Sequence, residues 1–372
     1  MTTSEMPLTS IEICAGAGGQ AAGLHRAGFK HLTLVEIDQH AAASLKKNLD
    51  IRSEWQWERD NGTRVLSMDV KTFDPAEDVR KLAPYELDLL AGGVPCPPFS
   101  VAGKQLGQDD ERDLFPRMLE LVAELQPKAV MIENVRGLLE PAHKFKGYRD
   151  EIEGQLTNLG YVICGWKVLE AADYGVPQLR PRAILVAIHK DHLLNEFVWP
   201  APKTEQLSVF AALNESMERR YRLAISNSTN EEEIQRLEQK YQDWCKRASE
   251  GGVAPTLVGG SKKHGGADLG PTRAKAAWKA LGVDGLGVAN DEDKTVDIGR
   301  DLLAENGPKL TVEQAAIIQG FPEGWKFDGG KTARYRQVGN AFPPPVAAAV
   351  GRSIIRALGR TPAPEPDETA NG

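Results

Sequence analysis

The sequence predicts an α/β protein: a mostly parallel, doubly wound sheet followed by a smaller, irregular region. Three observations lead there. Over the first half of the 372 residues, short apolar runs that read as strands alternate with helical patterns. Such alternation implies parallel strands joined by helices on both faces. The first strand candidate also runs directly into a glycine-rich turn and then a helix, as nucleotide-binding units do. Finally, the alternation stops at Trp199-Pro-Ala-Pro, and the chain stays polar, glycine-rich and weakly periodic to about Gly307.

The elements follow in order. Ile11-Glu-Ile-Cys is a strand, Ala15-Gly-Ala-Gly-Gly a turn, Gln20 to Ala27 a helix stopped by Gly28, and Leu32 to Glu36 a second strand. Leu87 to Ala91, Ala129 to Ile132 and Arg182 to Ile188 read as further strands, with helices at Leu114 to Leu125 and Tyr148 to Leu159. In the irregular region one helix stands out. Asn230 is placed to cap it, with Glu233 at capping-box spacing. Ile234, Leu237, Tyr241 and Trp244 then share a face. Order returns near Leu310, and Pro344 to Leu358 forms a last helix. The expected division is a large lobe of residues 8–195 completed by 335–360, a small lobe of 196–334, and a disordered tail, 361–372.

Composition narrows the class. The four cysteines, Cys14, Cys96, Cys164 and Cys245, are scattered and form no C-x-x-C pair. That argues against a disulfide framework and a zinc site, and no metal is expected. No apolar run reaches membrane-spanning length, and Met1-Thr-Thr-Ser-Glu has no signal-peptide character. A cytoplasmic monomer free of membrane is expected. The net charge of -7 does not advertise nucleic-acid binding, but a whole-chain sum conceals local basic faces, so charge must be read by segment.

Gly16-Ala-Gly-Gly-Gln-Ala matches G-x-G-x-x-G/A between a strand and a helix, and Glu36 ends the next strand. Glycines there admit close backbone approach, and the acid holds ribose hydroxyls. Asp69, ending Val65-Leu-Ser-Met-Asp, is placed to take an adenine amino group. NAD and S-adenosylmethionine both carry ribose and adenine, so the loop alone does not choose between them.

Gly92-Gly-Val-Pro-Cys-Pro-Pro-Phe-Ser directly follows a strand, at the carboxyl end of the sheet. Three prolines fix φ around Cys96 and prevent the chain from continuing as strand or helix. A stiff loop presenting a thiol suits a nucleophile better than a core.

Pro95-Cys96-Pro97-Pro98-Phe99-Ser100 resembles the catalytic motif of the DNA cytosine-5 methyltransferase family. Further segments resemble that family in its order: Glu12 to Gly19, Asp113-Leu-Phe, Glu133-Asn134-Val135, Gln178-Leu-Arg180-Pro-Arg182, Leu310 to Pro322, and Gln337-Val-Gly339-Asn340-Ala341-Phe342-Pro343. The likeness covers nearly all of the large lobe. One departure is Glu12-Ile-Cys14, where the family commonly has Asp-Leu-Phe; Cys14 offers the adenine less surface than the usual Phe.

The resemblance implies a Rossmann-like S-adenosylmethionine-dependent methyltransferase fold with a target-recognition domain. It implies a cofactor site of Cys14, Ala15, Gly16, Gly18, Gly19, Glu36, Ile37, Asp69, Val70, Pro95, Leu114, Asn340 and Ala341. Cys96 would add to C6 of a flipped-out cytosine in double-stranded DNA. Glu133 would serve N3, and Arg182 would hold O2 with Arg180 in support. Ser100, Gln178, Lys262, Lys263 and Arg273 would face DNA, and a restriction endonuclease acting on the same site is an implied partner. An RNA cytosine methyltransferase would use the same chemistry, but the long irregular region favours DNA. An NAD-dependent oxidoreductase explains only the glycine loop. A non-catalytic relative would be suspected were Cys96 or Glu133 missing, and both are present.

Gly259-Gly-Ser-Lys262-Lys263-His264, with Arg273, Lys275 and Lys279 beyond, is basic within an acidic chain. Lys331, Arg334 and Arg336 form a second basic cluster. Replacing Lys262 and Lys263 with Ala should flatten the salt dependence of DNA binding by about 0.9 in log–log slope per lost phosphate contact. Titrations at several salt concentrations test this; an unchanged slope places the phosphate contacts elsewhere.

Overall fold

The computed structural model describes residues 6–95, 113–259, 267–291 and 297–365. Cys96, Ser100, Lys262 and Lys263 lie outside these. The chain divides into two compact units. Unit 1 comprises Met1–Leu169, Pro181–Ala201 and Val346–Gly372; unit 2 comprises Glu170–Arg180 and Pro202–Pro345. The division differs from the expected lobes at three places: Glu170–Arg180 and residues 335–345 belong to unit 2, and residues 196–201 belong to unit 1.

Unit 1 carries β1 (Leu8–Ile13), α1 (Gly19–Ala27), β2 (Phe29–Glu36), α2 (Gln39–Ile51), α3 (Gln56–Asp60), β3 (Arg64–Ser67), α4 (Pro75–Asp78) and β4 (Leu89–Gly92). It continues with α5 (Phe115–Leu125), β5 (Ala129–Val135), α6 (Lys146–Asn158), β6 (Tyr161–Glu170, its last residue in unit 2) and β7 (Pro181–His189). The strand order is β3-β2-β1-β4-β5-β7-β6. β1 pairs in parallel with β2 and β4, β2 with β3, and β4 with β5, whereas β7 runs antiparallel to β5. The chain winds outward from β1 in one direction and from β4 in the other. The carboxyl ends of β1 and β4 are therefore the switch point where such sheets open a crevice.

Side chains alternate across the sheet. Ile11 and Ile13 of β1 join Leu90 of β4, Val130 and Ile132 of β5, Met118, Leu121 and Val122 of α5, and Ile152 and Leu156 of α6 in one buried cluster. Burying each such aliphatic side chain stabilises by roughly 1.5–3 kcal/mol. Ser10 and Glu12 occupy the other face. There the His31 ring bridges the Ser10 hydroxyl (Nδ1, 2.9 Å) and the Ala21 carbonyl of α1 (Nε2, 2.9 Å). The carbonyl can only accept, so Nε2 carries the proton and Nδ1 accepts from Ser10.

The last helix, α13 (Pro344–Ala357), packs on α1. A Cβ at Gly351 would stand 3.0 Å from the Ala27 Cβ and 3.1 Å from Leu24 Cδ2. The segment after it is not disordered as far as Glu365, contrary to the sequence-based expectation. Ala363 donates to the Ala27 carbonyl (2.9 Å), and Glu365 pairs with Arg352 (2.7 Å). Residues 366–372 lie outside the described residues.

Unit 2 includes α7 (Val209–Asn227), α8 (Glu231–Glu250), α9 (Thr272–Ala280), α10 (Ile298–Asp301), α11 (Val312–Gln319) and α12 (Lys331–Asn340). Asn230 caps α8 through the Glu232 and Glu233 amides, but the Glu233 carboxylate accepts from Ser228 Oγ (2.7 Å). Leu237 and Trp244 are buried as expected. The sequence did not betray the 19-residue α7, because Ser216 and Arg220 interrupt its buried stripe of Val209, Leu213, Met217 and Tyr221. Arg220 is tolerated there because it donates to Gln314 Oε1 and the Lys309 carbonyl.

Burial, and then the nearby His25 charge, push the His31 pKa down to about 4. The unfolded chain takes up this proton near pH 6.5, which the fold refuses until about 4. This contribution to stability is complete above pH ~6.5 and is lost as pH falls through the window. The loss amounts to about 3 kcal/mol. In His31→Gln, the slope of unfolding free energy against pH over that range should flatten by up to about one proton; equal slopes would assign the titration to another group.

Candidate active site

β1 ends at Ile13, and Cys14 turns the chain with φ +52°, a left-handed conformation rare outside glycine. Gly16 (φ +56°) and Gly18 (φ +91°) continue the turn, and Gly18 is the N-cap of α1 without a side-chain cap. Nothing lies within 4 Å of where a Cβ on Gly16 would be. The Gly16 amide donates to Glu36 Oε2 and the Asp38 amide to Glu36 Oε1, each at 2.7 Å, so the β2 carboxylate is fixed beside the loop. Burial pushes the Glu36 pKa up, opposed by those amides. Ile37 beside it is 64% exposed. Asp69 caps the turn Val70–Thr72 through the Lys71 amide, and Val70 is buried.

At β4 the fit is tight. A Cβ on Gly92 would lie 2.7 Å from Ile13 Cγ1, and one on Gly93 would lie 3.0 Å from Glu133 Oε2. Val94 is buried and Pro95 exposed. Asn134 donates through Nδ2 to the Val94 carbonyl (2.9 Å) and accepts through Oδ1 from the Val135 amide (2.8 Å). The antiparallel register sets Val135 opposite Arg182 and Glu133 opposite Ile184. Glu133 and Arg182 are thus diagonal neighbours on one face, and Arg182 Nε meets Glu133 Oε1 at 2.8 Å. The pair flanks the backbone that leads to Cys96. Leu114, half-buried, is held between Asp113 and Phe115. Asp113 accepts from the Phe115 amide and from the Tyr148 hydroxyl (2.6 Å).

Burial raises the three described thiols. Cys14 is raised furthest, with Glu36 and Asp69 adding to burial; Cys164 rises to about 11, and Cys245 is also raised. None is poised as a thiolate.

The Gln-x-Arg-x-Arg motif splits between the units. Gln178 and Arg180 lie inside unit 2, 0% and 2% exposed. Gln178 accepts from the Leu257 amide (2.7 Å) and donates to Gln319 Oε1 (2.8 Å). Arg180 donates to the Leu257 carbonyl (2.6 Å) and the Gly339 carbonyl (2.7 Å). Gln178, expected to contact DNA, and Arg180, expected to support Arg182, are both buried and tie the Leu257 loop to α11 and α12. Asn340 is exposed and Ala341 buried in the same unit. Arg273 on α9 is exposed. The second basic cluster is largely engaged: Arg334 pairs with Asp291 (2.8 Å), and Lys331 donates to Asn290 (2.9 Å). Asn134 is the site residue that sequence reasoning passed over, though the Glu-Asn-Val motif contained it.

The strand order, glycine loop and flanked β4 terminus define a Rossmann-like methyltransferase. The family model for C-5 cytosine-specific DNA methylases matches residues 8–356, so the chain belongs to that family. It is 48% identical over 355 residues to the Type II methyltransferase M.NaeI of Lentzea aerocolonigenes, spanning 94% of this chain and 75% of that relative. It is 45% identical over 357 residues to M.NgoMIV of Neisseria gonorrhoeae, spanning 95% and 99%. In fold it is similar to the solved Entamoeba histolytica methyltransferase EhMeth, with a TM-score of 0.59 at 17% identity over 95% of this chain and 99% of that one. The chain is thus a DNA cytosine-5 methyltransferase.

Asn134→Ala should slow single-turnover methylation by roughly tenfold to a hundredfold, because a small displacement of the reacting group is costly. Cofactor affinity should stay unchanged. An unaltered rate would show that the Asn134–Val94 bond does not position the nucleophile loop.

Proposed function

We propose that this enzyme takes its methyl group from S-adenosylmethionine and transfers it to C5 of a cytosine flipped out of double-stranded DNA, with Cys96 as nucleophile. The observation that carries this reading is the meeting of Val94–Pro95, Glu133 and Arg182 at the carboxyl ends of β4 and β5, immediately before Cys96. The residues at the glycine loop suit the cofactor. Space is open above Gly16, Ile37 offers an apolar surface beside Glu36, and Asp69 stands on the neighbouring strand end. Glu36 would hold the ribose hydroxyls, Ile37 and Val70 the adenine faces, Asp69 the adenine amino group, and Leu114 the methionine side. When bound, S-adenosylmethionine supplies an electrophilic methyl group.

The protein's part is to make C5 nucleophilic. The Cys96 thiolate adds to C6, and the ring's electron pair moves toward C5 and N3. Glu133 stabilises N3 by hydrogen bonding or proton donation. Arg182, held by Glu133, faces the base oxygen as a fixed positive charge. After C5 has gained its methyl group, a base takes the C5 proton and Cys96 leaves as the thiolate, which restores the aromatic ring. Stacked cytosine cannot reach a loop at the sheet's end, so the base must leave the helix. Lys262, Lys263 and Arg273 would supply phosphate or groove contacts, and Ser100 would contact the DNA. The Type II names of the relatives support a paired restriction endonuclease acting on the same sequence, and the enzyme works as a cytoplasmic monomer.

Cys96→Ser should lower methyl incorporation into duplex DNA by roughly four orders of magnitude or more, since a serine hydroxyl is scarcely ionised at neutral pH. Calorimetry should show intact cofactor binding and gel shift intact DNA binding. Methylation by the variant at wild-type rate, or wild-type methylation of RNA alone, would overturn the reading.

A further inference from the structure

The basic cluster at the start of α12 has no part in the reaction described above. Lys331 and Arg334 stand three residues apart on this helix and so share a face. Both reach the segment Asn290–Asp291. The Lys331 ammonium donates to Asn290 Oδ1 (2.9 Å), and Arg334 Nη2 meets Asp291 Oδ2 (2.8 Å) and Oδ1 (3.1 Å). Arg300 is a third cation. It grips the buried Asp301 through Nε (2.7 Å) and Nη2 (2.8 Å), and the Asp301 carboxylate also accepts from the Asn290 amide (3.1 Å). Asp297, another acid near Arg300, caps α10 through the Arg300 amide.

The three cations are not equally satisfied. Arg300 holds its carboxylate with two nitrogens. Arg334 meets both Asp291 oxygens with one nitrogen, and its Nε is buried without a hydrogen-bond partner. The two-nitrogen fork by which a guanidinium grips an oxyanion is unused there. Lys331 donates to a neutral amide oxygen. Burial, and then the Arg300 charge, hold the Lys331 pKa below the usual lysine value; Asp301 and Asp291 oppose this, and Arg334 adds to it. A partly buried ammonium between two guanidiniums favours a further anion.

Position selects the kind of anion. The far end of α12 packs on the segment that leads into the first basic cluster. A Cβ on Gly259 would clash with the Asn340 side chain, and one on Gly339 would lie 2.6 Å from Gly259 Cα. Lys262 and Lys263 follow Gly259 in sequence. A helix of this length spans about 15 Å, the reach of about four phosphates along one DNA strand. Cations at both ends of such a span suit a row of linked phosphates better than a single free one.

We propose that Lys331 and Arg334, in the positive field of Arg300, hold a backbone phosphate of the DNA, and that Asp291 occupies this site as an internal anion until DNA displaces it. The phosphate takes the Arg334 guanidinium, Lys331 gains an anionic partner in place of an amide, and the Asp291 carboxylate returns to water. The carboxylate has to give way on every DNA sequence alike, so it weakens non-specific binding and speeds release from it. The assignment rests on duplex DNA as the substrate.

Binding of a fluorescent duplex of arbitrary sequence, titrated at several salt concentrations, tests this. Asp291→Asn should tighten binding roughly twofold to fivefold, the worth of a partly exposed ion pair, and leave the salt slope nearly unchanged. Lys331→Gln and Arg334→Gln should each weaken binding and flatten the log–log slope by about 0.9. In the Arg334→Gln background Asp291→Asn should have no effect, because both substitutions act on one contact. An ion pair that serves only the fold predicts lower melting temperatures with DNA affinity and slope unchanged, and that result would overturn the site. Equal tightening by Asp291→Asn with and without Arg334 would also overturn it, as a general effect of net charge. Sodium phosphate at fixed ionic strength should leave the wild-type melting temperature unmoved; stabilisation that Arg334→Gln removes would mark a free-phosphate site and overturn the DNA assignment. Failure of wild type to bind duplex DNA at all would overturn the substrate reading and the site with it.

Discussion

The close approach of β4 to β1 is the constraint on which the rest of this enzyme depends. Gly92 stands where a Cβ would lie 2.7 Å from the Ile13 side chain, so only glycine lets the two strands pair at their carboxyl ends. Those ends are where the winding of the sheet reverses. From one the chain enters the glycine loop, and from the other it enters Val94-Pro95-Cys96. The contact therefore brings the glycine loop and the Val94–Pro95 segment to the same edge of unit 1. The neighbouring strands complete the edge: β2 sets Glu36 against Gly16, and β5 sets Glu133 and Asn134 against Gly93 and Val94.

The antiparallel β7 supplies what a wholly parallel sheet would not. Its register places Arg182 diagonal to Glu133, so cation and carboxylate meet without a loop to position them. The other two polar residues of the same motif have a different task. Gln178 and Arg180, four and two residues before Arg182, spend hydrogen bonds inside unit 2 on the Leu257 loop, Gln319 and Gly339. One short motif thus serves as sheet-mounted site residue and as buried tie. Removing either buried group would leave backbone carbonyls or amides unsatisfied, a cost of about 1–3 kcal/mol each.

Much of the fold was legible because the chemistry of unit 1 is local. Apolar runs of strand length, the glycine turn and the stop at Gly28 located β1, α1 and β2 to within a few residues. β6 was missed because glycine at 165, with φ +127°, and polar residues dilute its pattern. α7 was missed because a buried arginine interrupts its stripe, satisfied by Gln314 at a sequence distance no local pattern reveals. The buried ties of Gln178 and Arg180 were not legible for the same reason: their partners lie 77 to 159 residues away. The ordered Thr361–Glu365 segment reads as disordered by its prolines, yet Arg352 and the Ala27 carbonyl hold it. The positions of Glu133, Arg182 and Glu36 near strand ends were legible because their motifs carry them there.

The described thiols are all raised by burial, and the proposed reaction assigns the bond with the base to Cys96. Duplex DNA carrying 5-fluorocytosine at the target should trap the enzyme with its cofactor, since fluorine cannot leave as the C5 proton does. Digestion of the adduct and mass spectrometry of the nucleotide-bearing peptide read the attachment site directly. Attachment at Cys96 is the result this account predicts; attachment at Cys14, Cys164 or Cys245 would contradict it.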